Sequence, residues 1–132
     1  MSYERVYTVD AYYDGPRGGI ADYRGKPHVY DCQFSQETED YTNLFWLMEI
    51  DRELAALAEE QYAIFLRWSG EYRLGKIPAE SHPALPAERA RYDELTHRIG
   101  DRLKVQPERS IVRRGRFTGS IAGGLQVRWT RP

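Results

Sequence analysis

Residues 125–131, LQVRWTR, alternate apolar and polar side chains almost without a break. Such alternation marks a half-buried β-strand, because successive side chains leave opposite faces of the backbone. Leu125, Val127 and Trp129 therefore belong to one face, and Gln126, Arg128 and Thr130 to the other. A chain with this segment near its end needs a sheet whose apolar side can receive Trp129.

The first third of the chain supplies that sheet. Residues 3–13, YERVYTVDAYY, are rich in Tyr, Val and Thr and contain no Gly or Pro, so they read as a strand. DGPRGG stops it with turn formers. IADY and PHVYDCQF follow as strands joined by the RGK turn, with His28, Tyr30, Cys32 and Phe34 on one face. SQETEDYTN reads as an acidic, solvated loop. LFWLMEI is a nearly continuous apolar run, too short to span a membrane, and reads as a well-buried strand.

Asp51 is placed to cap a helix running from Arg52 to Leu74, where Leu54, Ala58, Gln61, Phe65, Trp68 and Tyr72 recur at three- and four-residue steps. KIPAESHPALP, with three prolines, is a stiff connector. A second helix is expected over residues 86–104, and SIVRRGRFTGS then leads through IAGG into LQVRWTR. The order is about four N-terminal strands, two helices and two C-terminal strands. Because strands and helices come in blocks, the expected class is α+β, a mostly antiparallel sheet with helices over one face. At 132 residues the chain fits a single domain, 1–132, that can bury a core without disulfides or metals.

Composition excludes several classes. With 41% hydrophobic and 30% charged residues, general disorder is excluded. The single cysteine excludes an intramolecular disulfide. No apolar run of secretory or membrane-spanning length occurs, so a cytoplasmic protein without membrane contact is expected. The net charge of −1 conceals an asymmetry: residues 31–60 hold nine acids against Arg52, and residues 102–132 hold eight bases against Glu108. Either the two segments neutralise each other or the second forms a basic face.

Motifs of chemistry are missing. GGIADYRGK lacks the glycine spacing of a phosphate loop, and Pro27 stands where its hydroxyl residue belongs. His28, His82 and His97 make no H-x-x-x-H, and no C-x-x-C exists, so neither a metal nor a cofactor is expected. Cys32 and His28 share a strand face but stand about 13 Å apart at strand rise, too far for a nucleophile and its base. Cys32 is better read as a small buried hydrophobe.

Two candidate sites remain. Asp14, Arg17, Asp22 and His28 surround the turns, where Arg17 could clamp a carboxylate or phosphate. The plainer reading has Asp14 capping its own turn and Arg17 paired with Asp22. Arg113, Arg114, Arg116 and Arg128 define a candidate basic face. Trp129 belongs to the opposite face from Arg128, which leaves those arginines without a stacking ring.

YYDGPRGGIADYRGKPH, FWLMEID, IFLRWSGEYRLGK and SHPALP, in this order, resemble a family of small bacterial proteins with no established activity. The resemblance implies a bacterial, soluble, single-domain protein and transfers no catalytic residue. The leading functional expectation is a small cytoplasmic binding or interaction module, not an enzyme, whose partner is a protein or a small acidic ligand. Behind it stands a small hydrolase using Asp14, Asp22 and His28. Single-stranded nucleic-acid binding by the C-terminal strands ranks third, since a pI near 6.3 lacks the basic bias of such binders. Edge strands and ten tyrosines are compatible with a homodimer.

Overall fold

The computed structural model describes residues 2–10 and 15–132. Among them six strands occur: β1 (Glu4–Asp10), β2 (Gly18–Tyr23), β3 (Lys26–Ser35), β4 (Asp40–Glu49), β5 (Ser110–Ser120) and β6 (Gly124–Thr130). Between β4 and β5 lie helices α1 (Arg52–Arg73) and α2 (Arg89–Ile99). Two compact units result, one of residues 1–55 with 104–132 and the other of residues 56–103. No helix among the described residues is long and apolar enough to cross a membrane.

The fold class differs from the open α+β sheet expected above. The six strands form a closed antiparallel barrel in the order β1-β2-β3-β4-β5-β6. Closure is made by β1 against β6, through Glu4 opposite Val127 and Arg5 opposite Gln126. The physical reason is twist and local bending: each strand turns relative to its neighbour, and register shifts in β1 between Val6 and Thr8 and in β4 between Tyr41 and Phe45 add curvature. The edge-strand route to a homodimer rests on open edges, and here β1 and β6 pair with each other.

Inside the barrel the alternation of LQVRWTR is satisfied. Val127 and Trp129 are buried with Ala21, Tyr23, Tyr30, Cys32, Phe45 and Leu47. Tyr30, Phe45, Phe117 and Trp129 form an aromatic centre; Tyr30 and Phe117 lie 5.4 Å apart by ring centroids, and Phe45 meets Trp129 nearly edge-on at 5.5 Å. Gly115 makes room for it, since a Cβ there would stand 2.6 Å from the Trp129 ring and 3.0 Å from Phe45. The Trp129 indole N–H donates to the Asp22 carbonyl at 2.9 Å, and the Tyr30 hydroxyl to the Thr8 carbonyl at 3.0 Å. Each large ring thus keeps its polar atom bonded while its body is buried.

LFWLMEI reads as apolar throughout because β4 is buried on both faces. Phe45 and Leu47 point inward, while Met48 continues the outward row Ile20–Val29–Met48, all buried. One boundary moves. The acidic loop shrinks to a turn over residues 36–39, because Asp40 and Tyr41 pair with Ser35 and Phe34 in the ladder. Phe34, opposite Tyr41 beyond the register shift, is 50% exposed. Residues 11–13, assigned above to the first strand, lie outside the described residues.

In the second unit, α1 presents buried Leu57, Ala58, Ile64 and Trp68, and α2 presents buried Leu95 and Ile99. Arg91 pairs with Glu60, and Arg67 with Glu88. The α1 N-terminus is capped by Asp51, whose carboxylate accepts the Leu54 N–H at 2.7 Å.

Candidate functional site

Of the four residues around the turns, the three that are described are not gathered into one site. Asp14 lies outside the described residues. Arg17 precedes β2, and Asp22 stands five residues further along, about 17 Å at strand rise. The Arg17 guanidinium lies 4.6 Å from the centre of the Tyr41 ring. The Asp22 carboxylate accepts the Tyr7 hydroxyl at 2.9 Å, and no ion pair joins it to Arg17 among the described residues. Burial, then that hydrogen bond to Asp22, pushes the Tyr7 phenol above its ordinary value. Asp22 faces outward beside Tyr7, whereas His28 points into the barrel and is buried. Asp22 and His28 therefore share no cleft in which to act as an acid–base pair.

Cys32 is buried in the barrel, and its thiol donates to the Thr42 carbonyl at 3.0 Å. Burial raises its pKa against the opposing pull of Arg17. A protonated, buried thiol is a poor nucleophile. Among the described residues, no group of three His, Cys, Asp or Glu side chains could hold a metal ion.

The four C-terminal arginines divide by strand parity. Arg113 shares the inward face of β5 with Gly115 and Phe117, and its Nε donates to the Tyr23 hydroxyl at 3.2 Å. It leaves the basic face proposed from sequence. Arg114, Arg116 and Arg128 point outward. Arg116 stands directly opposite Arg128 across the β5–β6 ladder, and Arg114 opposite Thr130. Arg114 donates to the Asn43 side chain at 2.9 Å. Among the described residues, no carboxylate forms an ion pair with Arg114, Arg116 or Arg128. Within the barrel unit, the acidic stretch after residue 31 does not neutralise these three.

Barrel closure adds a third strand to this face. Because Arg5 is opposite Gln126, the outward residues of β1 continue the outward face of β6. The chain's N-terminal Tyr3, 38% exposed, comes to lie 5.7 Å from the Arg128 guanidinium, and Arg5 stacks on Tyr7 at 4.2 Å. Sequence reasoning missed Tyr3, Arg5 and Tyr7. Their alternation with Glu4 and Val6 was visible, but nothing local in the chain announces that β1 pairs with β6. The result is a three-strand surface of arginines and tyrosine rings.

No protein-family model, no curated protein and no solved structure matches this chain significantly, so its functional reading rests on its own residues.

Proposed function

We propose that this chain is a binding module, not an enzyme, that takes single-stranded nucleic acid on the outer face of β1, β6 and β5. The observation that carries the reading is Arg116 opposite Arg128 with no carboxylate among the described residues paired to either. Like charges directly across an antiparallel ladder destabilise the sheet. An anion lying over both removes that repulsion and gains two charge-assisted hydrogen bonds.

Arg114, two positions from Arg116 and about 7 Å away along β5, extends the charge in a line. A line of cations suits a chain of phosphates better than one compact anion. Tyr3 supplies an exposed ring beside that line, and base-on-ring stacking is worth about 1–3 kcal/mol per base. With an overall charge of −1 the chain as a whole does not attract a polyanion, so binding is weak and salt-sensitive.

The test is to follow backbone and arginine side-chain NMR shifts during titration with an oligothymidylate. The reading requires the shifts to fall on Tyr3, Arg114, Arg116 and Arg128. Shifts confined to any other part of the barrel reject this face.

A further inference from the structure

A second feature of the barrel is built from residues other than those of the arginine face. At the β2–β3 hairpin the barrel opens into a cavity of about 390 Å³, within the size range of small-ligand sites. Its floor is made by Tyr23, His28 and Leu47, all buried. Around it stand three cations, Arg24, Lys26 and Arg109, against the one carboxylate of Glu49. No ion pair among the described residues joins Glu49 to any of the three.

His28 sets the polarity of the floor. The residue is 6% exposed, and Nδ1 lies 2.8 Å from the Lys26 carbonyl oxygen. A carbonyl only accepts, so Nδ1 carries the proton. In the neutral ring Nε2 is then an acceptor, and it has no hydrogen-bond partner among the described residues. Tyr23 meets the ring edge-on at 5.4 Å. A bare acceptor on the floor of a cationic cavity calls for a molecule with a donor at one end and negative charge at the other.

We propose that this mouth binds a small organic anion that also carries a hydroxyl. Its carboxylate or phosphate meets Arg24, Lys26 and Arg109, its hydroxyl donates to His28 Nε2, and its apolar body lies against Leu47. The site shares no residue with the arginine face, so either assignment can fail alone.

The test titrates the isotope-labelled full chain, in phosphate-free buffer, with 4-hydroxybenzoate, benzoate, phenol and phenyl phosphate. The readouts are the His28 ring nitrogens and the Leu47 methyls. 4-Hydroxybenzoate is expected to saturate the site about tenfold more tightly than benzoate or phenol, the value of one good hydrogen bond or charge contact. Only hydroxyl-bearing probes should move Nε2. If phenyl phosphate binds more tightly than benzoate, the anionic group is a phosphoryl; the reverse order assigns a carboxylate. Arg109→Gln alters an exposed side chain and leaves the barrel folded, and it should weaken the anions about tenfold while sparing phenol. Absence of saturable His28 shifts with every anion overturns the proposal, as does unchanged anion affinity in R109Q.

Discussion

Arg116 of β5 and Arg128 of β6 face each other directly across the ladder, outside the barrel, with no carboxylate paired to either among the described residues. Their repulsion predicts a trade between stability and binding. Arg116→Glu turns a like-charge pair into an opposite one. Without ligand it should raise stability by about 0.5–1 kcal/mol in urea denaturation at low salt, and the gain should shrink at high salt. A destabilised R116E would mean that the arginine makes a structural contact the face does not reveal.

Gly115 sits where a methyl group would strike the Trp129 ring at 2.6 Å. Gly115→Ala should therefore cost about 1–3 kcal/mol, the range for overpacking a filled core. Near-UV circular dichroism should change with it, because the aromatic centre must shift. A fully stable G115A with an unchanged aromatic signal would disprove the packing described for the barrel interior.

Asp10, Gly18 and Asp31 lie in one row across β1, β2 and β3, and Gly18 places no side chain between the two acids. Loss of solvent, then the Asp31 charge, raises the Asp10 carboxyl above its usual value; loss of solvent also raises Asp31. A carboxyl with a raised folded-state pKa binds its proton more tightly when folded. Its charge therefore weakens the fold above that pKa, and the penalty fades as pH falls through it. Asp10→Asn should be at least as stable as the parent at about pH 7, with the difference shrinking toward about pH 4. A loss of stability at neutral pH would contradict this sign.

Cys32 is predicted to be chemically quiet. Its thiol is buried, bonded to the Thr42 carbonyl and raised in pKa chiefly by burial. Alkylation of the folded protein should run at least about tenfold slower than in denaturant. Equal rates would place the thiol on the surface.

How much of this was legible in the sequence depends on the range of each interaction. The alternation around Trp129 and the cap at Asp51 are local, and both are met in the structure. Barrel closure is not local. It brings Glu4 and Arg5 against Val127 and Gln126, from opposite ends of the chain, and no spacing rule distinguishes an edge strand from one that finds a distant partner. That one unread contact turned an expected open sheet into a barrel and moved Tyr3 beside Arg128. It also separated the arginines. Arg113 looks like its neighbours in RRGR, yet strand parity sends it inward to Tyr23. The Asp22–His28 cluster failed for the same reason of parity, since neighbours in sequence around a hairpin emerge on opposite faces.

The most direct test of the central claim is the salt dependence of oligonucleotide binding by the parent and by an R114Q/R116Q/R128Q variant, followed by fluorescence anisotropy. For three phosphates neutralised on a single strand, the parent should show a log–log slope of about −2. The variant should lose most of both the affinity and the slope while keeping the parent's fold. Binding that is absent at low salt, or equal in the two proteins, would contradict the account.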